Sequence, residues 1–215
     1  MTALLVKNSK IDKTNKINDI TIFNFGISAH KSVDGELICR QALHCIGPCY
    51  ANQKTYRFPV VIKAYDFRFQ ATKKDDFVEN IVTDIRRKRK ITHVRIHDSG
   101  DFYSEKYLNK WLVIARDNPN VTFYCYTKEV EMFKRTEKHF PNNFKSIFSY
   151  GGRQDHLINP SIDRHARVFN DIKNVPSHYI DASHDDLLAI GDNKNVALVY
   201  HGYENRKNTK FIKGV

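Results

Sequence analysis

Three of the chain's four cysteines fall within residues 39–51, CRQALHCIGPCYA. Their spacing is C-x5-C-x3-C, and Gly47-Pro48 sits just before the last of them. A loop of this kind can turn the thiols of Cys39, Cys45 and Cys49 towards one point. Three converging thiolates suit a metal or an iron–sulfur cluster and leave one coordination position free. Spacing alone does not name the metal. His30 and His44 lie close enough in sequence to replace a thiolate, and zinc takes a mixed Cys/His set readily. The fourth cysteine, Cys125, shares a strand face with Phe123 and reads as a small core residue, with a fourth-ligand role as the alternative.

The elements that must position this loop follow from periodicity. Residues 20–28, ITIFNFGIS, read as a strand with Phe23, Phe25 and Ile27 on one face and Asn24 and Gly26 on the other. Residues 1–18 read as a short apolar start followed by a solvated loop carrying Lys7, Lys10, Lys13 and Lys16. After the cysteines, FPVVIKAYDFRF mixes strand and helix signals, and Pro59 bars a helix from running through its start. Residues 73–89 form a helix, because Phe77, Ile81 and Ile85 recur every four residues beside Val78 and Val82. Its basic end, residues 86–90, suits a helix C-terminus. A strand at 92–97, a helix at 104–117, the strand VTFYCYT, a helix at 129–139 and the strand KSIFSYGG come next. ARVF and VALVYHG read as further strands.

This order gives the fold class as α/β, built from parallel β/α units. Such units curl into a closed or partial barrel, or stay open as a doubly wound sheet, and periodicity leaves both open. One domain over residues 1–215 is expected, with 1–18 as an extension and 19–205 as the core. Functional groups in these architectures collect at the C-terminal ends of the strands. The unusual residues gather there: the cysteine loop, then Asp98-Ser99-Gly100-Asp101, then Thr127-Lys128-Glu129, then residues 151–155, GGRQD. Arg95 and His97 alternate with Val94 and Ile96, so they point into the interior and need partners or a ligand. Asp98 and Asp101 can hold an amine or a ribose hydroxyl; equally, Asp98-Ser99 can cap the helix that follows. Arg164, His165 and Arg167 can grip a phosphate or carboxylate, or form a salt-bridged surface. Tyr200-His201-Gly202 ends the last strand and can face the same site.

The totals narrow the class. A hydrophobic content of 41% is too high for a disordered chain. No apolar run is long enough to span a membrane, and MTALLVKNSK lacks a signal-peptide core, so a cytoplasmic location is the expectation. In a reducing compartment, clustered cysteines bind metal more often than they form disulfides. The net charge of +11 points to an anionic partner, usually nucleic acid, or to a basic surface that serves solubility.

Taken together, CIGPCYA, VRIHDSGDFYS, FYCYTK, FSYGG and DRHARVF resemble a phage-associated family, gene product 88, over about residues 20–202. That resemblance implies a phage-encoded protein in the cytoplasm of a bacterial host, and it carries no established reaction. A three-cysteine loop after the first strand of a β/α chain is also similar to radical S-adenosylmethionine enzymes. This second resemblance implies a partial (β/α) barrel with a [4Fe-4S] cluster on Cys39, Cys45 and Cys49. It further implies S-adenosylmethionine bound at the open iron, among Asn24, Asp98, Ser99, Gly100, Asp101 and Lys128. A radical formed by reductive cleavage then abstracts hydrogen from a nucleotide or nucleic-acid-related substrate, with Arg95, His97, Arg164 and His165 as the catalytic candidates. The chain departs from the usual C-x3-C-x2-C spacing, places Tyr50 after the last cysteine, and has DSGD where those enzymes carry a Gly/Glu motif. The alternative is a non-catalytic nucleic-acid-binding phage protein with a structural zinc or iron–sulfur site.

Overall fold

The computed structural model describes residues 3–88 and 90–200. The described residues form seven strands: β1 (Ile22–Phe25), β2 (His93–Ile96), β3 (Thr122–Thr127), β4 (Phe144–Ser149), β5 (His165–Phe169), β6 (Ile180–Asp181) and β7 (Asn195–Val199). Every pairing is parallel, in the order β1-β2-β3-β4-β5-β7-β6. The sheet curls into a half-barrel, the coarser form of the expected partial barrel. The α-helices are α1 (Ser9–Asn18), α2 (Pro59–Lys73), α3 (Phe77–Arg87), α4 (Glu105–Asp117) and α5 (Val130–Thr136).

Strand alternation divides the core in two. Phe25, Val94, Ile96, Phe123 and Phe148 face outward and pack with Phe77 and Ile81 of α3 and Trp111 and Leu112 of α4. Phe25 meets Trp111 edge-on at 5.2 Å between ring centroids. Cys125 belongs to this outer cluster and is fully buried, as a core cysteine should be. Ile22, Tyr124, Ile147, Ala166 and Val196 face inward, against Ile11 of α1.

Residues 1–18 correct the sequence reading: residues 9–18 are a helix, not a solvated loop. Asn8 caps it, its Oδ1 accepting the Ile11 amide at 3.0 Å. Ile11 and Thr14 are its buried residues, so no apolar stripe advertises it. Tertiary contact stabilises it instead. Asn15 covers the free edge of β1, donating to the Ile22 carbonyl at 3.1 Å and accepting the Ile22 amide at 2.8 Å. The ambiguous FPVVIKAYDFRF stretch belongs to a helix that begins at Pro59, in the first turn, where a missing N–H costs nothing. Its apolar residues are split between buried Phe69 and exposed Val60 and Ile62, which blurs the period.

The interior of the half-barrel holds an ion cluster. Asp186 is completely buried. Its carboxylate accepts from Arg95 Nη1 and from the Tyr124 hydroxyl, both at 2.8 Å, and pairs with Lys10 Nζ at 2.5 Å. Burial pushes this carboxyl up, but Arg95 and then Lys10 outweigh it and hold it below the ordinary carboxylate value.

Removing one member of a buried pair strands the others, so Asp186→Ala is expected to cost about 3–5 kcal/mol, read as a drop in urea midpoint. The sign with pH follows from a lowered folded pKa. The Asp186 contribution is complete above about pH 3.9, the unfolded value, and is lost as pH falls through the folded one. The gap between wild type and variant should therefore close on acidification; a gap that widens would contradict the assignment.

Candidate functional site

A cavity of 720 Å³ lies at the C-terminal ends of the strands. Cys39, Cys45, Cys49, Asp98, Ser99, Gly100, Asp101 and Lys128 all line it. The loops after β1, β2 and β3 thus meet at one place, as the distribution of unusual residues predicts.

The cysteine loop is fastened to the loop after β4. Ala42 and Gly152 form an antiparallel bridge, His44 N donates to the Gly151 carbonyl at 3.0 Å, and Arg153 N donates to the Gln41 carbonyl at 2.8 Å. A Cβ at Gly152 would sit 2.9 Å from the Gln41 carbonyl oxygen, so only glycine permits this approach. The Gly151 and Gly152 amides donate to the Asp155 carboxylate at 2.8 and 2.9 Å. Cys39 Sγ accepts the His30 amide at 3.2 Å. Burial, then the Asp101 carboxylate, push the Cys39 thiol up, and the Cys49 and Cys45 sulfurs add to this. Burial also raises Cys49.

Among the described residues, no three Cys, His, Asp or Glu side chains form a metal-holding group. The thiols share a cavity wall rather than the single point expected from their spacing. Anchoring explains this: Cys39 is tied to the His30 amide and packs on the outer core, whereas Cys45 and Cys49 sit on the turn around Gly47-Pro48.

The two aspartates of DSGD differ. Asp101 Oδ1 accepts the Phe102 amide at 2.8 Å and the Thr127 hydroxyl at 2.7 Å; Oδ2 accepts the Lys128 amide at 2.9 Å. Both oxygens are used to tie the end of β2 to the end of β3. Asp98 Oδ2 accepts from Asn8 Nδ2 at 3.1 Å and the Tyr65 hydroxyl at 3.0 Å, while Oδ1 has no hydrogen-bond partner among the described residues. The half-exposed Tyr50 ring sends its hydroxyl inward to the Asp98 carbonyl. A Cβ at Gly26 would lie 2.0 Å from Asp98 Oδ1. Gly100 has φ +89°, and a Cβ there would lie 2.3 Å from Ile27 Cγ1. Neither aspartate caps α4, whose N-cap is Ser104.

The other predicted residues divide. Lys128 Nζ donates to Ser149 Oγ at 3.0 Å on the cavity wall. Arg95 does point inward and borders the cavity, with its guanidinium held by Asp186. Asn24 lies beside Arg95 in the β1–β2 register; it is fully buried, does not line the cavity, and both its side-chain amide atoms lack hydrogen-bond partners among the described residues. His97 borders the cavity but corrects the alternation: at φ +67° its ring packs at 4.5 Å on Phe102, with Nε2 2.9 Å from the Tyr107 hydroxyl. Burial lowers its pKa to about 3, so the imidazole is neutral.

Arg164 and His165 lie at the start of β5 and do not line the cavity. Arg164 donates to the carbonyls of Ala189, Gly191 and Asn193, and His165 sits between the Asp163 carbonyl and the Tyr179 hydroxyl. Arg167 stacks 3.9 Å from the Tyr150 centroid. These are structural contacts, not an anion grip. Tyr200 reaches the cavity and donates to the Pro48 carbonyl at 3.3 Å; His201 and Gly202 lie outside the described residues. Sequence reasoning missed Asn8, Tyr56 and Tyr65 as lining residues. Only the tyrosine-rich run from residue 50 to 65 hinted at the two tyrosines, and nothing hinted at Asn8. Glu129, named with the strand-end groups, does not line the cavity. Burial and then the Asp101 carboxylate push Glu129 up to about 7 beside Arg40 and Gln41 of the cysteine loop.

A family model described as Gene product 88 matches residues 2–213. The Gene 88 protein of Mycobacterium phage L5 is 34% identical over 68 residues, covering 32% of this chain and 28% of that protein. No solved structure matches the chain.

Two expectations follow from the geometry. Gly26→Ala must displace the Asp98 carboxylate, costing about 1–3 kcal/mol, measurable as a lowered Tm. The His97 imidazole should stay neutral at pH 5 in ¹⁵N spectra; titration near 6.5, the ordinary histidine value, would contradict its burial.

Proposed function

The chain belongs to the Gene product 88 family, and from its rim cavity we propose an iron–sulfur enzyme of the radical S-adenosylmethionine type. Cys39, Cys45 and Cys49 would hold a [4Fe-4S] cluster, with S-adenosylmethionine beside it. One observation carries the reading: three thiols and the DSGD loop line one cavity. The donor set fits in type, since three thiols leave one iron open. Closing them on a cluster requires the turn through Gly47-Pro48 to move, and a Cβ at Gly47 would meet nothing within 4 Å.

When bound, such a cluster supplies one electron to a sulfonium. The chain's own residues bind and orient. Asp98 lines the cavity, and its carboxylate suits an ammonium group. The Lys128 ammonium suits a carboxylate. Tyr50, Tyr56 and Tyr65 wall the cavity. Asp101 positions Lys128 through its backbone amide and stays out of the ligand.

The net charge of +11 favours a second reading, a nucleic-acid-binding protein with a structural zinc. Metal analysis separates the two. Anaerobically purified protein should carry about four irons and absorb broadly near ~400 nm. Serine at Cys39, Cys45 or Cys49 should abolish the colour, and Cys125→Ser should keep it, because Cys125 lies in the outer core. One zinc and no colour would remove the enzyme reading, and steeply salt-dependent binding of DNA or RNA would then support the second.

A further inference from the structure

A second pocket, of 280 Å³, shares Tyr56, Tyr65 and Ser99 with the rim cavity, so the two adjoin across a tyrosine wall. We infer that this pocket binds the phosphate of a nucleotide unit whose base lies against Tyr50, Tyr56 and Tyr65. The inference rests on the reading of the rim cavity as a ligand site, and not on which metal it holds.

Charge supplies the first argument. Lys31 and Arg57 line the second pocket, and no Asp or Glu does. Both cations are exposed, and neither forms an ion pair among those found in the described residues. The nearby Asp66 carboxylate accepts the Val33 amide at 3.2 Å and is not part of the lining. Ser28 and Ser32 add hydroxyl donors. Two cations with hydroxyls and no competing carboxylate form an anion site, and a planar guanidinium favours phosphate.

The wall supplies the second argument. Tyr50 and Tyr56 meet at 5.7 Å between centroids, and Tyr56 and Tyr65 at 5.6 Å. Tyr50 and Tyr65 are both hydrogen-bonded to Asp98, so their rings are already ordered before a ligand arrives. Preordered aromatic rings stack bases whatever the base. A sugar phosphate would use the cations but leave this wall bare. A base joined to a phosphate uses both.

The test uses the full chain, purified anaerobically as for the metal analysis, and calorimetric titration with AMP, adenosine and inorganic phosphate. AMP should bind at least about tenfold more tightly than adenosine or phosphate, and added salt should weaken AMP and phosphate but not adenosine. The double variant Lys31→Ala/Arg57→Ala, altered only at exposed positions, should lose about tenfold towards AMP and keep its adenosine affinity. Tyr56→Leu should weaken both. Equal affinity of wild type for AMP and adenosine, or unchanged AMP binding by the double variant, would overturn the inference. A short oligothymidylate distinguishes the source of the phosphate: tighter binding than AMP, with the same dependence on Lys31 and Arg57, assigns the site to a strand, and weaker binding assigns it to free nucleotides. A colourless protein that discriminates AMP keeps this inference and removes the cluster; a brown protein that ignores AMP does the reverse.

Discussion

The buried Asp186 carboxylate is the contact on which the half-barrel's interior depends. It joins Lys10 of α1, Arg95 of β2 and Tyr124 of β3 to the turn before β7. A curled sheet that does not close leaves an inner face to be filled. Here the filling is partly apolar and partly ionic, with α1 and the turn at Asp186–Ile190 laid across it. A buried ion cluster is weak as a net source of stability but unforgiving of a missing member. It therefore specifies which elements meet. Arg95, the floor of the rim cavity, is fixed by this cluster before any ligand enters.

Above that floor the loops hold one another. Gly152 lets the cysteine loop touch the loop after β4, Gly26 makes room for Asp98, and Gly100 carries the chain through a left-handed turn against Ile27. Asp101 links two strand ends through both its carboxylate oxygens. The rim is thus rigid around DSGD, and the turn at Gly47-Pro48 is the part of the wall with space around it.

Much of this was readable in advance. The four-residue recurrence of Phe77, Ile81 and Ile85 marked α3, and the doubly apolar VTFYCYT marked β3, because each pattern reports the faces that are buried. The gathering of Cys39, Cys45, Cys49 and residues 98–101 on one cavity followed from the strand-end rule. Three things were hidden. Helix α1 buries too few apolar residues to show a stripe. His97 breaks alternation through a positive φ that no side-chain pattern encodes. Arg164 and His165 looked like an anion grip because composition cannot tell a charge meant for a ligand from one meant for a turn's carbonyls.

The placement of α1 also bears on how the chain matures at the ribosome. Its residues are made early, yet Asn8 waits for Asp98, 90 positions later, and Lys10 and Thr14 wait for Ala182 and Asp186, each 172 positions later. Contacts of such long sequence separation form slowly. Helix α1 is therefore made before the elements it packs on and is among the last to dock, and until it does, the inner apolar surface of the nascent sheet stays open to water and to other chains.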